Sequence, residues 1–171
     1  MDLKGLIGCD VLGTCVDAST MKPEQGRWYR NILNNPVYEP LEAPVEWLQF
    51  PAWPDVAEGL ERLRKHYMVV TCSNLPHGFT AYLCKHNGLV FDGHYAMEVY
   101  RTYKTAPAAY MGMCKQFLWH PSKTIMITSN EDFGDIEAAK RLHMQTVLID
   151  RENKYPTALH SFIELAKFLG C

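Results

Sequence analysis

Polar side chains follow several short apolar segments of the sequence, at the positions where buried strands would end. They are Asp10 after residues 6–9, Ser73 and Asn74 after residues 68–72, Lys104 just before a proline-started helix, and Asn130, Glu131 and Asp135 after residues 124–128. Side chains at the carboxyl ends of parallel strands meet at one edge of the sheet. The sequence therefore predicts that these residues share one site.

A carboxylate beside an ammonium group can perform covalent catalysis. Asp10 could attack an electrophilic carbon or phosphorus atom and form an ester or an acyl phosphate. Lys104 would keep Asp10 ionised, since an opposite charge within about 4–6 Å favours the charged form. Ser73 and Asn74, with the start of the next helix, could hold an anionic substrate group. Asp135 could position a water molecule or pair with Lys104.

Each of these residues also has a purely structural interpretation. An aspartate at the end of a strand is commonly a turn residue, and a serine before a helix is commonly its N-cap. A single lysine is usually solvated, and an acidic loop is usually only a charged surface. The placement of all of them after successive strands favours a functional site over four separate coincidences.

The elements that must position these side chains alternate between strands and helices. Apolar runs rich in β-branched residues predict buried strands at residues 6–9, 68–72, 124–128 and 146–149. Helical patterns lie between and after them, at residues 55–63, after Pro76, from Pro107, at 136–143 and at 159–169. This alternation predicts an α/β fold with three layers, Rossmann-like, around a central parallel sheet.

Residues 18–53 interrupt that alternation directly after the first predicted strand. The segment holds five of the ten prolines and three of the four tryptophans, with one short helix expected around residues 27–33. It is too apolar for a linker, so it is either a lid over the site or an oligomer contact, and a homodimer through it is one expectation. We expect a single domain over residues 1–171 with this insertion inside it.

Composition limits the classes of protein that remain. The 171 residues are 47% hydrophobic and carry a net charge of −2, which fits one globular core and gives no basis for nucleic-acid binding. No run approaches the ~20 apolar residues of a membrane span. Asp10 interrupts the first apolar stretch, and the apolar region of a signal peptide would not contain an acidic residue. The six cysteines lack zinc spacing, which favours reduced cysteines in a cytoplasmic protein.

Four stretches of the sequence resemble, in order, the four motifs of the haloacid dehalogenase (HAD) superfamily. They are residues 10–14 (Asp-Val-Leu-Gly-Thr), 71–74 (Thr-Cys-Ser-Asn), 103–107 (Tyr-Lys-Thr-Ala-Pro) and 128–140, which begins Thr-Ser-Asn. The sequences of these motifs are most similar to those of the L-2-haloacid dehalogenases, which carry Asp-x-Tyr-Gly-Thr, Ser-Asn, Tyr-Lys-Pro and Ser-Ser-Asn. The resemblance covers residues 4–14 and 54–150 and implies a reduced cap.

The resemblance implies a hydrolase that displaces halide from small, anionic 2-haloalkanoic acids through a covalent aspartyl ester, without a cofactor. Its catalytic residues would be Asp10, Lys104, Ser73, Asn130 and Asp135. Its substrate-binding residues would be Leu12, Thr14, Asn74, and Arg27 or Arg30 from the insertion.

Two alternatives stay open. Phosphatases of this superfamily carry a second aspartate two residues after the nucleophile, and Leu12 occupies that position here. A departing halide needs no proton, so a dehalogenase can function without that acid. However, the acids of residues 131–135 are similar to those that bind metal in the phosphatases, so a phosphohydrolase with Mg²⁺ at Asp10, Glu131 and Asp135 is the first alternative. The second is a non-catalytic scaffold that binds partners through the Trp-rich insertion.

Overall fold

A five-stranded parallel sheet forms the centre of the protein. The computed structural model describes residues 2–35, 37–95 and 97–171, with Asp132 described in its backbone only. The strands are β1 (Leu6–Cys9), β2 (Met68–Thr71), β3 (Gly93–His94), β4 (Thr124–Thr128) and β5 (Gln145–Leu148). Their order across the sheet is β3-β2-β1-β4-β5, and every neighbouring pair is parallel. The predicted parallel sheet is confirmed, and β3 is an addition too short to show a pattern in the sequence.

Helices connect the strands. They are α1 (Pro23–Leu33), α2 (Val56–Arg64), α3 (His77–His86), α4 (Met97–Tyr100), α5 (Pro107–Gln116), α6 (Asp135–Lys140) and α7 (Phe162–Phe168), with short 3₁₀ helices at Val45–Gln49, Pro121–Lys123 and Glu131–Phe133. Pro107 opens α5 as predicted, because a proline at the first helical position gives up a hydrogen bond that would not form anyway. Helix α1 begins four residues earlier than the expected start at residue 27, also at a proline.

Apolar side chains on the two faces of the sheet enter two separate cores. Ile7 of β1 belongs to the core that includes Leu60 of α2, whereas its neighbour Leu6 belongs to the core that includes Met113 of α5. Successive side chains of a strand point to opposite faces, so this division is the result expected for a sheet covered on both sides. The predicted three-layer architecture is therefore confirmed.

The insertion at residues 18–53 packs against the core rather than standing apart from it. Trp47 is fully buried, and its ring meets the ring of Tyr29 edge-on with centroids 5.6 Å apart. The Trp47 indole donates a hydrogen bond to Gln25 at 3.2 Å, which ties the 3₁₀ helix to α1. The domain boundaries themselves stay a prediction. Among the described residues, no helix combines the length and the apolar character needed to cross a membrane.

Candidate active site

A cavity of about 220 Å³ opens at the carboxyl edge of the sheet, between the strand ends and α1. Its lining residues are Asp10, Leu12, Gly13, Ala18, Met21, Gly26, Tyr29, Arg30, Asn74, Lys104, Asn130, Phe133 and Asp135. Side chains from after β1, β2 and β4 thus meet in one place, as the order of the strands requires. The volume is below the ~300–1,000 Å³ of pockets for drug-sized ligands, which restricts the site to a small molecule.

Asp10 lies on the floor of this cavity with both carboxylate oxygens held. Its side chain oxygen Oδ1 accepts a hydrogen bond from the Lys104 ammonium. Its Oδ2 accepts from the Thr14 hydroxyl and from the Asn130 amide, each at 2.7 Å. A carboxylate oxygen has two lone pairs, so Oδ2 is saturated. Among the described contacts Oδ1 has a single donor and keeps a lone pair for attack.

Lys104 is 2% exposed and its ammonium lies between two carboxylates. Besides Asp10, it donates to Asp135 Oδ2 at 2.8 Å. Burial by itself lowers the pKa of Lys104, but the charges of Asp10 and Asp135 outweigh it and raise that pKa well above 10.5. Lys104 therefore stays protonated and holds a positive charge at the base of the cavity.

Asp135 lines the cavity and has one carboxylate oxygen with no described partner. Its Oδ2 accepts from Lys104 and, at 3.1 Å, from the hydroxyl of Thr128. Its Oδ1 is buried and has no hydrogen-bond partner within the part of the chain that the structure describes. A buried acceptor without a donor is costly, so a water molecule or a substrate group is the expected partner of this oxygen.

The pKa of Asp10 lies above its ordinary value of 3.8. Burial is the largest cause, while the Lys104 charge and the hydrogen bonds from Lys104 and Thr14 act in the opposite direction. Asp10 ionises more reluctantly than a surface carboxyl, and once ionised it is less shielded by water. A poorly solvated carboxylate surrounded by fixed donors suits nucleophilic attack.

The loop after β1 is fixed by a glycine turn and by distant side chains that no sequence pattern indicated. Gly13 takes a left-handed conformation with φ of +84°, which a residue with a side chain rarely adopts. Its carbonyl accepts from the Trp53 indole at 3.1 Å. The next carbonyl, of Thr14, accepts from Arg151 at 2.9 Å, and Arg151 also pairs with Asp55 at 2.8 Å. No short motif contains Trp53 or Arg151, since they lie 40 and 137 positions from their partners in the loop.

Helix α1 supplies the wall that faces the strand ends. Gly26, Tyr29 and Arg30 lie at i, i+3 and i+4 and therefore on one side of the helix. Tyr29 is 8% exposed, whereas the exposed Arg30 lies with its guanidinium 5.3 Å from the centre of the Phe133 ring. The insertion thus contributes a buried hydroxyl and a cation at the mouth of the cavity.

Several predicted site residues lie elsewhere. Arg27 is exposed and does not line this cavity, although it shares a neighbouring surface cavity with Gly26 and Arg30. Ser73 is buried, and its hydroxyl accepts from the backbone of Leu75 at 3.2 Å in a local turn. Thr14, expected to bind substrate, is fully buried and contacts Asp10 and Ser129 rather than lining the cavity.

The three acids of the magnesium alternative do not converge. Glu131 is exposed, and its carboxylate accepts from the Tyr155 hydroxyl at 2.9 Å. Asp10 and Asp135 both face the Lys104 ammonium, which repels a cation. Among the residues described, no group of three or more His, Cys, Asp or Glu side chains is arranged to hold a metal ion. The arrangement of Asp10, Glu131 and Asp135 does not fit a shared Mg²⁺ ion, and we derive no step through Mg²⁺.

The fold is similar to the folds of several solved haloacid dehalogenases and of a related hydrolase. A defluorinating L-2-haloacid dehalogenase superposes with a TM-score of 0.82 at 17% sequence identity, over 98% of this chain and 95% of that one. The L-2-haloacid dehalogenase from Xanthobacter autotrophicus with chloropropionic acid covalently bound gives 0.71 at 16%, over 90% and 80%. A haloacid dehalogenase-like hydrolase from Streptococcus pneumoniae gives 0.71 at 16%, over 96% and 98%. No protein-family model and no curated protein matches the sequence. The expected HAD fold is confirmed.

Proposed function

We propose that the protein is a hydrolase that removes halide from small 2-haloalkanoic acids, with Asp10 as the nucleophile. The observation that carries this proposal is the arrangement at Asp10. Oδ2 is saturated by Thr14 and Asn130, Oδ1 keeps a lone pair, and Leu12 lines the cavity where a phosphatase would carry its acid. Displacement of a halide needs a nucleophile and no proton donor, and that is what this site contains.

In the first step, Oδ1 of Asp10 attacks the carbon that bears the halogen. The oxygen–carbon bond forms as the carbon–halogen bond breaks, and the halide leaves with the bonding electron pair. The product is an ester between Asp10 and the 2-carboxyalkyl group. Lys104 and Asn130 hold the attacking carboxylate in place, so that attack starts from a fixed geometry.

In the second step, a water molecule attacks the carbonyl carbon of the Asp10 ester. Asp135 lines the cavity and its Oδ1 has no hydrogen-bond partner among the described residues, so we assign to it the binding of this water and the receipt of its proton. The bond between the carbonyl carbon and Oδ1 breaks, and the leaving oxygen takes the second proton of the water, which gives the 2-hydroxy acid. Asp10 is restored as a carboxylate, and Asp135 passes the first proton to solvent. Lys104 contacts Oδ1, so its charge stabilises the negative charge that develops on this oxygen as the bond to the carbonyl carbon breaks.

Recognition of the substrate carboxylate is assigned to Arg30. It is the predicted arginine that lines the cavity, and it lies at the exposed end, where a carboxylate can enter without complete desolvation. Asn74 lines the same cavity and anchors the backbone of Lys104 at 2.8 Å. The apolar side chains of Leu12, Met21 and Phe133 would contact a short alkyl chain.

The test is the release of chloride from 2-chloropropionate in the presence of EDTA. We expect one 2-hydroxypropionate and one chloride for each substrate consumed, with no change when EDTA is added. Ion chromatography measures both products. Activity on p-nitrophenyl phosphate that requires Mg²⁺, without chloride release, would instead support the phosphohydrolase, and inactivity on both substrates would support the non-catalytic scaffold.

The rate should depend on pH through Asp10. Attack requires the ionised carboxylate, and the pKa of Asp10 is raised by burial. The value of kcat/KM should therefore fall as the pH decreases through an apparent pKa above 3.8. Thr14→Val removes a hydrogen bond that lowers this pKa, so the acid limb of its profile should move to higher pH. An unchanged limb would show that the titrating group is not Asp10.

A further inference from the structure

Arg151 is a largely buried cation that the two proposed steps do not use. It follows β5, its side chain is 8% exposed, and its guanidinium lies beside two aromatic rings, 5.1 Å from the centre of Trp53 and 5.7 Å from that of Phe162. The same group pairs with Asp55 at 2.8 Å and donates to the carbonyl of His160 at 3.2 Å. A guanidinium fixed by these contacts holds its remaining donors in a defined direction.

These donors converge on one acceptor in the loop after β1. Nε and Nη2 of Arg151 both donate to the carbonyl oxygen of Thr14, at 3.2 Å and 2.9 Å. Two adjacent N–H groups of a planar guanidinium define the position and the direction of the oxygen that they share, whereas the ammonium of a lysine cannot present such a pair. Arg151 therefore fixes the Thr14 peptide group from 137 positions away in the sequence.

The side chain of Thr14 carries this constraint to the nucleophile. Its hydroxyl oxygen accepts from the backbone N–H of Ser129 at 2.8 Å, and its one hydrogen is donated to Oδ2 of Asp10 at 2.7 Å. Threonine is branched at its β-carbon, so few rotamers are open to it and the hydroxyl follows the backbone to which it is attached. A displacement of the Thr14 peptide group would therefore lengthen the hydrogen bond to Asp10.

We propose that Arg151 is a positioning residue for the Asp10 nucleophile and acts through Thr14. This inference rests on the proposed dehalogenase function, and it adds no bond and no proton transfer to either step. The Thr14 hydrogen bond helps to fix the plane of the Asp10 carboxylate, so its weakening leaves Oδ1 in orientations less suited to attack. Arg151 does not line the cavity of Asp10, so its contribution should appear in the rate of attack rather than in substrate binding.

The test is Arg151→Lys, which keeps a positive charge beside Asp55 and removes the paired donors to Thr14, assayed on 2-chloropropionate. We expect kcat to fall by about 5- to 30-fold, the effect of weakening a hydrogen bond to a charged group, with KM close to the wild-type value. The Thr14 hydrogen bond lowers the pKa of Asp10, so the acid limb of kcat/KM should move to higher pH. In a Thr14→Val background, Arg151→Lys should cause no further loss, because the hydroxyl that it positions is already absent.

Arg64→Lys is the matched control. Nε and Nη2 of Arg64 also donate to a single oxygen, Oδ1 of Asp92, at 2.8 Å and 2.7 Å, and Arg64 does not line the cavity. We expect the kinetics of this variant to equal those of the wild type. Denaturant unfolding of every variant separates a loss of stability from a loss of turnover. If Arg151→Lys does not fold, Arg151→Gln, which keeps an amide donor at this position, is assayed in its place.

Three results would overturn the inference while the dehalogenase stands. They are losses that multiply when Arg151→Lys and Thr14→Val are combined, an unchanged kcat or acid limb in the Arg151 variant, and an equal loss in Arg64→Lys. A wild-type protein that releases no chloride from 2-chloropropionate would overturn the proposed function and this inference with it.

Discussion

Replacement of Asp10 by asparagine is expected to reduce haloacid turnover by about 10⁴-fold or more, the scale of loss when a covalent nucleophile is removed. An amide oxygen is a poor nucleophile and cannot form the ester. The fold should survive, because Lys104 keeps its pairing with Asp135 and the hydrogen-bond acceptor at position 10 is retained. Chloride release and circular dichroism together measure the two effects.

Asp92→Asn is the control for this substitution. Asp92 pairs with Arg64 at 2.7 Å and accepts from the backbone of Val69, near the start of β2 and therefore at the other edge of the sheet. Its turnover should equal that of the wild type. Substantial activity in Asp10→Asn would contradict the assignment of the nucleophile.

A single turnover in ¹⁸O-labelled water provides a separate test of the mechanism. If water attacks the carbonyl carbon of the ester, the heavy oxygen enters the peptide that contains Asp10, and the first product carries ordinary oxygen. Mass spectrometry of that peptide reads the result. Label in the first product and none in the peptide would mean that water attacks the substrate directly, without a covalent intermediate.

Replacement of Lys104 by methionine should cost both activity and stability. The ammonium is the counter-ion of two buried carboxylates, and removal of one partner of a buried ion pair typically costs about 3–5 kcal/mol of unfolding free energy. Loss of the charge that orients the nucleophile should lower kcat by about 10²- to 10³-fold. Denaturant unfolding and chloride release measure the two losses.

The stability loss in Lys104→Met should also depend on pH. Without the ammonium, the two carboxylates repel each other, so the native-state pKa of at least one of them rises above its unfolded value. A native state that binds more protons gains stability as the pH falls. The variant should therefore be closer to the wild type at pH 5 than at pH 8.

Lys140→Met is the control for this second substitution. Lys140 is exposed and lies 3.8 Å from Glu137, a surface pair worth about 0–1 kcal/mol. Its unfolding free energy and turnover should stay close to those of the wild type. A Lys104→Met protein as stable as wild type at pH 8 would contradict the buried ion triad.

The residues at the strand ends were predictable because their positions depend on local pattern and simple topology. Apolar runs define the buried strands, and parallel strands bring their carboxyl ends to one edge. Asp10, Asn74, Asn130 and Asp135 therefore converge as the sequence indicates, and Lys104 joins them from the segment before α5. Their catalytic roles stay predictions until the variants are assayed.

Some residues do not lie where the sequence pattern predicted, because their positions depend on contacts between distant segments. Nothing near Glu131 in the sequence indicates that its carboxylate accepts from Tyr155, 24 positions later. Arg27 and Arg30 are equivalent candidates in the sequence, and the choice depends on which face α1 turns to the strand ends. The supports of the loop after β1 are likewise distant, since Arg151 lies 137 positions from Thr14.

By itself, the amino-acid sequence determined the layered architecture and the set of side chains delivered to the sheet edge, because periodicity and strand termination are local properties of the chain. Only the tertiary structure decided which groups complete the site. The packing of the insertion selects Arg30 over Arg27 and brings the Tyr29 phenol into the cavity. It also leaves one oxygen of Asp135 without a donor. These features arise from close contact between segments far apart in the chain, and no spacing along the sequence encodes them.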